Sequence, residues 1–231
     1  MRILIVVLLA MMVTIPPAAA QVPETARNQI ITHGSGEVEV PPTQAVVTVG
    51  AQIQRPAAAE ASGEVSRIAD QILARVQALG VRRQDIRTSG VQLTPVFSTP
   101  RDGTPQVVAY RAIYTLTVTL TDLRLVGPVI DESVKVGANQ VLGVSFGLRD
   151  ASEARRDALT MAVREARDKA DAIARAAGLQ IKGILQISEE FVGVEVRSLG
   201  RAVPAPSPTV PTPIEPGLIS VTARVTMVFT Y

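Results

Sequence analysis

Any catalytic chemistry in this chain must be built from one histidine, His33, and no cysteine. A serine–histidine–carboxylate triad would have to use His33, and one ring cannot make a multi-histidine metal site. Lack of cysteine removes disulfides, thiolate metal sites, a cysteine nucleophile and a lipidated N-terminal cysteine. Glu37 and Glu39 lie two apart on a predicted strand, so both point to one side and could act as acid and base. No aromatic sugar platform accompanies them, and a solvated face is expected, as it is for Glu189 and Glu190. Ser133 and Lys135 sit two apart on a predicted helix, on different faces, which argues against a dyad. Arg155, Arg156, Arg164 and Arg167 could bind an anion or lipid headgroup, but acidic neighbours make a salt-bridged face the expected outcome. Gly34-Ser35-Gly36 begins like a dinucleotide loop and fails: Glu39 occupies the third glycine position and no helix follows. The expectation is no catalytic residue, no cofactor and no metal.

The elements around these residues read clearly. Tyr110, Ala112, Tyr114, Leu116, Val118 and Leu120 alternate along a strand with one buried face. Thr121 and Asp122 offer a helix cap, Gly137 a stop, and Leu142, Val144, Phe146 and Leu148 resume a period of two. Pro128 conflicts with a helix begun at Asp122; either the helix kinks, or it starts with Pro128 in its first turn. Upstream, Ile30 to Val40 and Ala45 to Ile53 read as two antiparallel strands turned by Pro41-Pro42-Thr43. A helix opens at Pro56 with one apolar stripe (Ala58, Ala61, Val65, Ile68, Ile72, Val76, Leu79) and stops at Gly80. A change of phase at Ser89-Gly90 predicts a β-bulge, and Asp102-Gly103, between Pro100 and Pro105, a hairpin loop.

The longest helix follows Asp150, with Asp150 and Glu153 as a capping-box-like start. Its expected seam is Leu159, Ala162 or Val163, Ala166, Ala170, Ile173 and Ala177; Glu165 with Lys169 and Asp171 with Arg175 are pairs on the wet side. Gly178 ends it. Residues 181–196 are strand-like, with Leu185 and Ile187 expected to face in. Residues 197–216 carry six prolines and form an excursion. Alternation from Ile219 to Tyr231 closes the chain.

At the N-terminus, Arg2, an apolar run from Ile3 to Val13, a break at Pro16-Pro17 and Ala18-Ala19-Ala20 before Gln21 read as a secretory signal peptide, residues 1–20, cleaved near Ala20-Gln21. The run is shorter than the ~20 residues of a membrane span. A flexible stretch, 21–29, would follow, and the mature protein would lie in the periplasm with no integral span. The formal charge of +2 falls to +1 without Arg2, and with 3% aromatics nucleic-acid binding is not expected.

Residues 45–120 and 141–231 share one order: strand, long helix ending at Leu79-Gly80-Val81 or Ala177-Gly178-Leu179, strand, excursion, strand. A duplicated β-α-β-β unit is inferred, an α+β fold with a mixed, mostly antiparallel sheet and long helices packed on one face, as one domain over 30–231. The closing strand has the look of a barrel strand, but long helices cannot enter a barrel wall.

Gly34-x-Gly36-x-Val38 before Pro42, Asp85-Ile86-x-Thr88-Ser89-Gly90, Tyr110-Arg111-Ala112, Asp122-Leu123, Val129-Ile130-Asp131, Gly137-Ala138-Asn139 and Gly143-Val144-x-Phe146 together resemble the SIMPL-domain family, which includes bacterial periplasmic immunogenic proteins. Thr43, where members often carry Asp, and Pro128 depart from the pattern. The resemblance implies a periplasmic, self-associating protein linked to envelope or oxidative stress, with no catalytic residues to transfer. The expected function is a non-enzymatic homo-oligomer; Ala158, Ala162, Ala166, Ala170, Ala172 and Ala176 on the long helix, and exposed strand edges, are its expected contacts. A monomeric periplasmic module for an envelope partner or small ligand is the alternative, followed by an outer-membrane-associated protein. An enzyme would rest on scattered carboxylates alone.

Overall fold

The computed structural model describes residues 28–98, 103–196 and 214–231. In chain order the elements are β1 (Gln29–Val40), β2 (Gln44–Arg55), α1 (Ala58–Ala78), β3 (Ile86–Ser98), β4 (Gln106–Leu120), α2 (Val126–Lys135), β5 (Gln140–Gly147), α3 (Ser152–Ala176), β6 (Gly183–Val196) and β7 (Ile219–Thr230). The class is α+β with antiparallel ladders, and the strands divide into two sheets, β3-β4-β2-β5 and β1-β7-β6. Each sheet has its own core.

The first core forms as the hydrophobic pattern predicts. Ala61, Val65, Ile68, Ile72 and Val76 of α1 pack on Val47, Val49, Leu116 and Val118, and α2 adds Val126, Val129 and Ile130. Gly80 ends the α1 region at φ +89°, and Gly137 follows α2 at φ +109°. Pro128 sits in the first turn of α2, where its missing N–H does no harm; the chain enters through a short 3₁₀ turn, Leu123–Leu125, capped by Asp122, which accepts from Arg124 N at 3.0 Å. The Arg124 side chain also holds the Asp122 carboxyl below its ordinary pKa. The bulge falls at Ser89, the extra residue between the pairs Thr88–Leu116 and Gly90–Thr115. Pro100, Arg101 and Asp102 of the expected hairpin loop, residues 1–27 with the expected signal peptide, and most of the proline-rich excursion lie outside the described residues.

The second core departs from expectation in its pairing. β1 does not pair with β2; Pro41-Pro42-Thr43 carries the chain from one sheet to the other, and β1 pairs with β7 over its whole length, Gln29–Thr230 to Val40–Ile219. The order strand–helix–strand–strand recurs as β2-α1-β3-β4 and β5-α3-β6-β7, yet β5 joins the first sheet beside β2, and β1 occupies the place next to β7.

The α3 seam differs too. Ala154, Ala158, Ala162, Ala166, Ala170 and Ala174 are buried, while Ile173 is 48% exposed and Ala177 is exposed. This stripe, one alanine every fourth residue, lies directly on β1. A Cβ on Gly34 would stand 1.9 Å from the Ala162 carbonyl oxygen and one on Gly36 2.0 Å from that of Ala158, so only glycine permits the approach. Between them and the β1 start, buried Thr32 donates its Oγ1–H to the Ala166 carbonyl at 2.8 Å. The alanines therefore serve a helix–strand contact within the chain, not a helix of another copy; Ala172 and Ala176 alone of those six remain exposed. On β6, Leu185 (53% exposed) and Ile187 (52%) are not buried, because α3 lies over β1 and β7. The α3 start is an Asp150 carboxylate accepting from Ser152 N at 2.8 Å.

Candidate functional site

On the side of the three-stranded sheet away from α3, three strands contribute to one polar cluster. His33 on β1 stands opposite Thr226 on β7, and its Nδ1 lies 2.7 Å from Thr226 Oγ1. Thr226 Oγ1 donates to Glu190 Oε1 of β6, and His33 Nδ1 is 3.7 Å from that oxygen. A hydroxyl has one proton, so with Thr226 donating to Glu190, His33 Nδ1 carries the hydrogen. Glu190 reaches this face because it is the extra residue of a bulge between the pairs Glu189–Val225 and Phe191–Arg224. Glu190 is on a solvated face, as expected, but its partnership with Thr226 has no signal in the sequence, since the bulge exists only relative to β7. The cluster is open to water, with the His33 side chain 72% exposed.

The free edge of β1 holds a second device. Glu165 of α3 accepts from Ser35 N at 2.5 Å and from Ser35 Oγ at 2.9 Å, and Lys169 donates to the His33 carbonyl at 3.0 Å. The two side chains pair with each other at 2.9 Å. Carboxylate and ammonium thus take the places that the C=O and N–H of a neighbouring strand would fill. The Ser35 amide, with Lys169 and the Ser35 hydroxyl after it, lowers the Glu165 pKa to about 2. The expected Glu165–Lys169 pair is present; the expected Asp171–Arg175 carboxylate pair is not, for Arg175 Nε donates to the Asp171 carbonyl and the Asp171 carboxylate faces Arg167 at 3.9 Å.

The other edges are interrupted as well. β3 carries Pro95 and the Ser89 bulge, β5 has Leu142 as an extra residue, and β6 has two, Leu185 and Glu190. Such devices block strand addition.

Other candidates separate. Ser133 is buried, its hydroxyl bonded to the Val129 carbonyl at 2.6 Å, and Lys135 pairs with Glu132 at 2.7 Å, so they form no dyad. Glu37 accepts from Ser220 Oγ at 2.6 Å. Arg167 pairs with Asp171, and with Arg175, Leu179 and Ile181 it lines an open cleft of about 500 Å³ at the end of α3. Arg155, Arg156 and Arg164 are exposed and lie outside it. Gly34 and Gly36 serve packing. Among the described residues no group of three or more His, Cys, Asp or Glu could hold a metal, and no helix is long and apolar enough to cross a membrane.

The comparisons match this chain over nearly its whole described length. The SIMPL family model, described as a protein of unknown function (DUF541), matches residues 30–229. The 26 kDa periplasmic immunogenic protein of Brucella melitensis is 28% identical over 179 residues, 75% of this chain and 72% of that one. Uncharacterized protein YggE of Edwardsiella ictaluri is 27% identical over 169 residues, 73% and 70% of the two chains. YggE of Escherichia coli K12 is 26% identical over 178 residues, covering 75% and 72%.

Proposed function

The chain belongs to the SIMPL family, and on that premise we propose that it is a non-enzymatic, exported periplasmic protein that self-associates and serves envelope or oxidative-stress defence. One observation carries self-association: apolar side chains left uncovered on two outer strands, Val91, Leu93 and Phe97 of β3 and Ile184, Leu185 and Ile187 of β6. Monomeric proteins seldom leave such strips to water. β3 and β6 hold the same outer place beside β4 and β7, so one copy offers two related strips to another. Interrupted edges direct the contact to side-chain faces rather than to strand addition. Export is supported by the N-terminal pattern and by the name of the Brucella relative, and the stress link by the family resemblance.

Sedimentation of the mature protein tests the reading. An oligomer at micromolar concentration is expected, dissociated by Phe97→Asp with Ile187→Asp; a monomer throughout removes it. For the stress role, a deletion strain should lose survival under peroxide and regain it with the wild-type chain. The cleft beside Arg167 and Arg175 favours a second reading, a monomeric module holding a small ligand, which a monomer with saturable ligand uptake would support.

A further inference from the structure

The four-stranded sheet turns one face to α1 and α2, and on the other face the Nε of one arginine has no acceptor among the described residues. Register places Arg111 of β4 between Gln54 of β2 and Thr94 of β3 in one row, with Gln52, Ile113 and Gln92 forming the next. Its neighbour Ala112 points the opposite way, into the core. Arg111 Nε is buried and, among the described residues, makes no hydrogen bond. A guanidinium offers five donors, accepts nothing and stays charged, so only an acceptor can satisfy it.

The sheet itself supplies no anion. β2, β3, β4 and β5 contain Arg55, Arg87 and Arg111 and not one Asp or Glu. The three-stranded sheet is the opposite, with Glu37, Glu39, Glu189, Glu190 and Glu195 on its outer strands. An arginine beside amide and hydroxyl side chains, on strands that lack carboxylates, has the chemistry of a receptor for an oxyanion. The fork of the guanidinium matches a carboxylate or phosphate group, and Gln54 and Thr94, each about 5 Å to one side, can bond its remaining oxygens or adjoining hydroxyls.

We propose that Arg111, flanked by Gln54 and Thr94, anchors an oxyanion-binding site on the face of the four-stranded sheet away from α1 and α2, for the carboxylate or phosphate group of a small hydroxyl-bearing molecule. Tyr110-Arg111-Ala112 then has a division of labour: Tyr110 and Ala112 face the helices and Arg111 faces the ligand. The site stands independently of self-association.

The test is a nitrogen-15 NMR titration of the full exported protein with acetate, inorganic phosphate and glucuronate, with sodium chloride at matched ionic strength as the control. The Arg111 Nε–H signal is expected to shift and saturate with a Kd of about 1 mM or tighter for at least one probe. Acetate or glucuronate as the better probe assigns a carboxylate ligand, and phosphate a phosphoryl one. Arg111→Gln should abolish saturable binding in calorimetry, and Arg111→Lys should weaken it at least about tenfold because a point charge lacks the fork. Should Arg111→Gln fail to fold, Gln54→Leu with Thr94→Val must weaken binding instead. No shift with any probe, a shift equal to that in chloride, or binding that survives the substitutions overturns the proposal.

Discussion

α1 and α3 each lie on a sheet after one strand and before two more, yet they close their cores by opposite means. α1 presents Val65, Ile68, Ile72 and Val76, long side chains that fill the space to β2 and β4, and α2 extends the cover. The fully buried residues of α3 are all alanines, with Leu159 and Val163 packed at their margin, and its backbone descends onto Gly34 and Gly36 of a strand from the far end of the chain. The first solution depends on side-chain volume and the second on its absence. One element order therefore does not prescribe one kind of packing.

The comparison breaks most severely at β1. Gly34→Val would put side-chain atoms where the Ala162 carbonyl stands, and is expected to cost about 4 kcal/mol or more by overpacking. Hydrogen exchange should show α3 and β7 deprotected while α1 and β2 stay protected; simultaneous loss in both would mean that the two cores do not melt separately. Ile72→Ala should do the reverse, opening a cavity under α1 at about 3 kcal/mol, read as lowered chemical-denaturation stability with protection lost first in α1.

The clamp on the β1 edge sharpens the contrast. The Glu165 pKa lies below its ordinary 4.5 in the folded protein, so its stabilising effect is complete above about pH 4.5 and is lost as pH falls toward 2. Glu165→Gln should cost up to about 1 kcal/mol at pH 7, as befits an exposed pair, and nothing near pH 2, with faster exchange of the Ser35 amide at neutral pH. An unchanged pH profile would show that the carboxylate does not hold that edge. The smallest effect belongs to Gly63 on the outside of α1, where a Cβ meets nothing within 4 Å. Gly63→Ala should stabilise by about 0.5 to 1 kcal/mol in thermal unfolding, the opposite sign from Gly34.

Legibility followed locality. The α1 stripe, the Gly80 stop and the Ser89 bulge could be read because each is a relation among residues a few positions apart, whereas Pro128 left a kink and a first-turn start equally open. The α3 seam departs from the expected one at Ile173 and Ala177, since periodicity favours bulky residues and the Gly34–Ala162 approach pairs positions far apart in the chain. Leu185 and Ile187 differ from the inward expectation for a related reason: alternation marks two faces of a strand, but only the reach of α3 decides whether either is covered. At the candidate sites, the scarcity of His and Cys was plain from composition, whereas the His33–Thr226–Glu190 cluster and the Glu165 clamp needed three strands and a helix brought together.

The α+β class, the places of the helices and most strands, and the family follow from amino-acid order alone, because periodicity, glycine stops and motif spacing act over short range. That β1 and β5 take places in different sheets from those their order suggests, and that most alanines of α3 face inward, emerges from long-range packing. Strand partners depend on how closely backbones can approach and on which edge is already filled, and those quantities exist only once distant segments meet.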